Sequence, residues 1–167
     1  MLSADETHFL AKVPIFGGLP ESAVERLGTV ASRLDFDGPA LVFAEGEPAR
    51  EMVVVLHGEL EVRKKGLAGG ETRIATLRAG DVAGEMSLID IQPRSAAVRT
   101  LGAAQLLVLR HGDLAMLYRE DLAAYTMLVM NIAREISRRL RRVDGLLANL
   151  LIDMQEVWAG AVASSEG

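Results

Sequence analysis

Between Arg33 and Arg110 the apolar runs are short, and glycine follows nearly every one, at Gly38, Gly46, Gly58, Gly66, Gly69-Gly70, Gly80, Gly84 and Gly102. Glycine weakens the interior of a helix or strand and suits tight turns. The spacing therefore predicts an all-β barrel or sandwich of short strands. Strands are expected near 33–37, 41–44, 51–57, 59–65, 71–77, 94–100 and 105–110. Met52-Val53-Val54-Val55-Leu56 is apolar throughout and reads as a fully buried core strand. Leu60, Val62 and Lys64 alternate with Glu59, Glu61 and Arg63, so that strand has one wet face. Residues 65–70 form an exposed, mobile hairpin tip.

Helical patterns flank this region. Residues 5–12 start acidic and carry Phe9, Leu10 and Val13 on one side. The run from Pro14 to Pro20 breaks that helix, and a second is expected from Glu21 to Ser32, with Val24, Leu27 and Val30 or Ala31 as its stripe. A short helix is expected over 112–119 and a long one from about Asp121. On the long helix Ala133, Leu140, Leu147 and Met154 fill one heptad slot, and Ile136, Val143, Leu150 and Val157 fill the other. That is a coiled-coil seam, most simply closed by a second copy through 133–157, while residues 122–132 fold back on the barrel. Gly145 is a candidate bend, and the small, polar tail 159–167 is expected to fray.

The chemistry concentrates in residues 80–98. Gly80-Asp81-Val82-Ala83-Gly84-Glu85 punctuates a turn, Met86-Ser87-Leu88-Ile89 reads as a short helical piece, and Arg94 follows Pro93 at a strand start. Glycines admit backbone N–H groups close to a ligand, and a helix start offers the Met86 and Ser87 amides to an anion. Arg94 adds a fork for phosphate oxygens and Ser95 a hydroxyl. Glu85 repels phosphate, so it implies a donor-bearing group on the same ligand, such as a sugar hydroxyl.

Other chemistries are poorly supported. Formal net charge is −5, which argues against coating nucleic acid. The absence of cysteine excludes disulfides, thiolate metal sites and a cysteine nucleophile. His8, His57 and His111 stand beside no serine nucleophile in sequence and show no metal spacing, so no enzyme activity, metal or cofactor is expected. The polar N-terminus shows no secretory signal, and the apolar run near 122–130 is too short to span a bilayer; a cytoplasmic protein without membrane attachment is expected.

Gly84-Glu85-Met86-Ser87-Leu88, then Pro93-Arg94-Ser95-Ala96-Ala97-Val98, resembles the phosphate-binding cassette of cyclic nucleotide-binding domains, the module of catabolite activator proteins, protein kinase A regulatory subunits and cyclic nucleotide-gated channels. Glu45-Gly46-Glu47 followed by Gly58, and Leu77-Arg78-Ala79-Gly80-Asp81, resemble two further segments of that family, as does Ile15-Phe16 before Leu19. Ala83 departs from the aromatic often found there. The resemblance covers roughly 5–143. It implies an α+β fold: a β-roll, a double-stranded jelly-roll-like barrel over about 33–110, flanked by N-terminal helices and a long C-terminal helix. The domain would then be 1–143, with 144–158 extending the dimer helix.

The resemblance further implies a cyclic nucleotide, cAMP or cGMP, held by Gly84, Glu85, Met86, Ser87, Arg94, Ser95 and Ala96. Glu85 would take the ribose 2′-hydroxyl and Arg94 the cyclic phosphate. The purine is expected against Val62, Ile74 and Val82. The hydroxyl positions that read adenine in activator proteins fall here near Arg139 and Leu140, so Arg139, with Arg138 and Arg142 as alternatives, is a candidate cap. A winged helix-turn-helix is not expected after the long helix. The chain thus reads as a sensor addressing an unknown effector protein, without direct DNA binding. The alternative is a ligand-free scaffolding barrel that dimerises through the same helix.

Overall fold

The computed structural model describes residues 2–66 and 69–165, with side chains left out at 157 and 159–165. By contact the chain divides into two units, Met1–Ile132 and Ala133–Gly167.

The first unit opens on helix α1 (Ala4–Lys12), whose start is fixed by a capping box. Ser3 Oγ accepts from the Glu6 amide at 3.2 Å, and the Glu6 carboxylate accepts from the Ser3 amide at 2.7 Å. Each group satisfies a donor that the first helical turn would otherwise leave unpaired. A 3₁₀ turn (Pro14–Phe16) and helix α2 (Glu21–Val30) follow. Helix α2 ends two residues before the sequence pattern suggests, because Ser32 pairs with Val108 in the sheet and Ala31 is already extended.

Eight strands form the roll: β1 (Ser32–Phe36), β2 (Leu41–Phe43), β3 (Glu51–His57), β4 (Leu60–Lys65), β5 (Glu71–Leu77), β6 (Val82–Ala83), β7 (Ala97–Thr100) and β8 (Ala104–Arg110). One sheet has the order β1-β8-β3-β6 and the other β2-β7-β4-β5, with antiparallel pairing throughout. This is the α+β architecture expected. The inter-sheet core holds Phe43, Val53, Val55, Leu60, Leu77, Ala83, Val98, Leu106 and Val108. Successive side chains alternate across a strand, so Met52 and Val54 face the other way, yet they too are fully buried. Burial on both faces explains why this strand reads as an unbroken apolar run.

Helix α3 (Met86–Ile89) packs on β3, and helix α4 (His111–Glu120) packs on β8. Helix α5 (Leu122–Ser165) begins after Asp121, whose Oδ1 accepts from the Ala124 amide at 2.9 Å. Its first turns belong to the first unit: Ala124, Leu128 and Ile132 are buried, and Asn131 Nδ2 donates to the Ile15 and Gly17 carbonyls at 3.1 and 2.8 Å. Residues 122–132 therefore meet the turn between α1 and α2.

The second unit is the remainder of α5, which continues through Gly145 as one helix. Leu140, Val143, Leu146, Leu147, Leu150, Leu151, Ile152, Met154 and Trp158 are each more than half exposed. The Val157 side chain lies outside the described residues, as do residues 67–68 of the expected hairpin tip and, in the tail expected to fray, the side chains of 159–165 and residues 166–167; the backbone of 159–165 belongs to α5. No helix among the described residues is long and apolar enough to cross a membrane.

Candidate functional site

The turn between β6 and α3 is built on Gly84. Its φ of +82° lies in the left-handed region, which a side chain disfavours. A Cβ there would overlap Arg94 Nη1 and stand 2.9 Å from the Glu51 carbonyl oxygen and 3.2 Å from Phe43 Cε2. Glycine is thus what lets a guanidinium, an aromatic ring and a carbonyl meet at one point.

Arg94 is 7% exposed. Its guanidinium carbon sits 3.5 Å over the centre of the Phe43 ring, a cation–π stack, and Nη1 donates to the Glu51 carbonyl at 2.6 Å. Nε is buried without a hydrogen-bond partner, although the Glu47 carboxylate lies 3.7 Å away. Burial pushes the Arg94 pKa below the ordinary arginine value, and the carboxylates of Glu47, Glu51 and Glu85 oppose that shift. Arg94 is held as a desolvated cation whose charge is balanced by acids rather than by water.

Glu85 is 2% exposed and lies close enough to Arg94 for its charge to favour the guanidinium. Ser87 Oγ donates to the Gly84 carbonyl at 2.6 Å, with the Glu51 carbonyl at 3.1 Å. The Glu51 carbonyl is therefore shared between the two halves of the cassette. The Ser87 amide is already taken by the Gly84 carbonyl at 3.1 Å, so it is not the open donor that the sequence suggests. Met86 is half exposed.

The strand expected from residue 94 begins instead at Ala97. The backbone of Arg94 is engaged elsewhere: its amide donates to the Glu47 carbonyl and its carbonyl accepts from the Gly46 amide, both at 2.9 Å. This pairing clamps the 45–48 loop against the cassette and satisfies backbone groups that a strand would have used. Ser95 is exposed, with its carbonyl accepting from Lys64 Nζ, and Ala96 is half-buried.

The structure brings Gly84, Glu85, Ser87 and Arg94 together; the residues expected against a purine are scattered. Val62 packs against the inter-sheet core from β4. Ile74 falls at an irregularity of the β4–β5 ladder and is 58% exposed. Val82 lies on the other sheet, paired with Val54, and because its neighbour Ala83 points into the core, Val82 points to the opposite face. Arg139 belongs to the second unit, where it pairs with Glu135 at 3.4 Å. Sequence reasoning missed Phe43, Glu47 and Glu51. Among the described residues no group of three or more acids and histidines is placed to hold a metal ion.

The family described as "Cyclic nucleotide-binding domain" matches residues 34–121. A CRP-like cAMP-activated global transcriptional regulator of Mycobacterium tuberculosis is 28% identical over 142 residues, covering 85% of this chain and 62% of the regulator. The N-terminal domain of a transcriptional regulator from Streptomyces coelicolor A3(2) superposes with a TM-score of 0.71 at 27% identity, covering 81% of this chain and 94% of that one. The catabolite activator protein of Thermus thermophilus gives 0.73 at 29% identity, covering 82% and 62%. The chain thus spans under two thirds of the length of the Mycobacterium regulator it matches.

Proposed function

Since the chain belongs to the cyclic nucleotide-binding domain family, we propose that it is a regulatory sensor that binds cAMP or cGMP at the Gly84–Arg94 cassette and signals through α5 to a protein partner. The observation that carries this reading is Arg94: a buried guanidinium, stacked on Phe43, with an Nε that makes no hydrogen bond. A desolvated cation with spare donors is poised for an anion. A cyclic phosphate would engage Arg94 in competition with Glu47, while Glu85, which can only accept when ionised, would take the ribose hydroxyl. Arg139 remains the candidate cap on the purine, and pairing of two copies through 133–157 gives the message a route. Ligand acts by favouring one arrangement of the helix over another, to the extent that its affinity for the two differs. The name of the Mycobacterium regulator, which specifies cAMP, favours that nucleotide.

Calorimetric titration with cAMP, cGMP and a cyclic dinucleotide tests the reading. Wild-type protein should bind cAMP or cGMP, and Arg94→Ala should weaken that binding about a hundredfold or more, the size of losing a charged phosphate contact. Arg139→Ala should weaken it only partly. Full affinity in Arg94→Ala overturns the site, and no binding by wild type overturns the function in favour of a ligand-free scaffold.

A further inference from the structure

Strand β4 carries a charge where its own pattern calls for an apolar side chain. Leu60 and Val62 face the inter-sheet core, whereas Arg63 pairs with Glu61 at 3.2 Å on the opposite face. The irregularity of the β4–β5 ladder falls on the β5 side, where Ile74 is skipped. The alternation of β4 therefore runs on, and Lys64 shares the face of Leu60 and Val62. Lys64 does not end in the core. Its Nζ donates to the Ser95 carbonyl and to Glu45 Oε1, the latter at 2.8 Å. Glu45 Oε2 accepts from the Lys65 amide at 3.0 Å. The loop 45–48 that bears Glu45 is the one whose Gly46 amide and Glu47 carbonyl hold the backbone of Arg94. Three segments are thus closed into one circuit: the loop, the end of β4 and the cassette.

Strand β7 begins only at Ala97, opposite Arg63, so Ser95 stands before the ladder and needs another anchor. We infer that Lys64 is a positioning residue of the nucleotide site, fixing the Ser95 backbone so that the Ser95 hydroxyl stands beside Arg94 for the same phosphate. The circuit uses only the Ser95 carbonyl, and the residue is exposed, which leaves the hydroxyl to a ligand. An ammonium can divide its three donors between a carbonyl and a carboxylate, whereas an apolar residue on this face can bond to neither. Glu45 balances the lysine charge at 2.8 Å, so Lys64 acts by placement and not as a second cation on the phosphate. The inference rests on the proposed binding of a cyclic nucleotide at the cassette.

Calorimetric titration of wild type, Lys64→Met, Ser95→Ala and the double variant with cAMP and cGMP tests it. Ser95→Ala should bind the nucleotide about tenfold more weakly, the size of a hydrogen bond to a charged group. Lys64→Met should lose about five- to tenfold. Its urea midpoint should stay unchanged, because methionine suits the apolar face and a partly exposed ion pair is worth little. In the Ser95→Ala background the same lysine change should cost less than about twofold further, since the hydroxyl it places is gone. A lysine with a purely structural role would cost the same in both backgrounds, and that result overturns the inference, as does full affinity in Lys64→Met. Should Lys64→Met misfold, Lys64→Gln carries the same binding expectations. Wild type that binds neither nucleotide overturns the proposed function and the inference with it.

Discussion

Gly84→Ala perturbs the cassette at the point where its parts converge. The substitution costs about 1–2 kcal/mol for holding alanine in the left-handed region. It also places a methyl against the Glu51 carbonyl, the Phe43 ring and Arg94 Nη1. The carbonyl belongs to β3 and the ring to the core, so neither can retreat far; the guanidinium is the group that yields. Its departure forfeits one charge-assisted hydrogen bond, about 1.5–3 kcal/mol, and a cation–π contact of about 0.5–2 kcal/mol. Relief of burial offsets part of this, and the terms are not additive, so the expected net loss of stability is about 2–4 kcal/mol. Urea unfolding should show a lower midpoint at unchanged slope, and titration should show nucleotide affinity down by about tenfold or more. Gly38→Ala is the control: a Cβ there meets nothing within 4 Å and its φ is ordinary, so stability should stay within about 0.5 kcal/mol. A Gly84→Ala protein as stable as that control would refute the packing argument. A destabilised one with undiminished affinity would refute the placement of ligand at Arg94.

Two further expectations follow from charges around the site and the first helix. Glu47 competes with any anion for Arg94 across 3.7 Å and is partly exposed, so Glu47→Gln should tighten cyclic nucleotide binding by about two- to fivefold, the worth of a half-exposed ion pair, as read by calorimetry; weaker binding would refute the competition. Glu6 titrates below its ordinary value of 4.5, held there chiefly by the Ser3 amide, with the Ser3 hydroxyl and Arg33 adding to it. A depressed carboxylate stabilises the fold above its unfolded pKa and stops doing so as pH falls through the folded value. Wild type should therefore lose more stability than Glu6→Gln between pH 6 and acid, measured by urea midpoints at each pH; parallel pH curves would refute the capping role.

The strands were legible where pattern and length agree. Residues 51–57 announce a doubly buried strand, and Gly58, Gly66 and Gly69-Gly70 bound the hairpin. The β6 pair escaped because two residues cannot display alternation, and the same brevity hid that Ala83 rather than Val82 faces the core. Arg94 was legible as a site residue but not as a loop residue, since its backbone answers to the 45–48 loop, distant in sequence. Glu85 and Gly84 declared themselves through the motif. Phe43 reads in sequence as any core aromatic, and nothing local reveals that its face carries a guanidinium. Glu47 lies in a recognisable turn, yet its proximity to Arg94 is a product of folding alone.

The acceptor shared by Arg94 and Ser87 is the carbonyl of residue 51. That oxygen comes with every amino acid, so substitution at position 51 removes the carboxylate's pairing with Arg110 and its charge near Arg94 but keeps the acceptor. Descendants of this sequence can change the letter at 51 and still inherit that acceptor, because what is passed on there is the path of the chain.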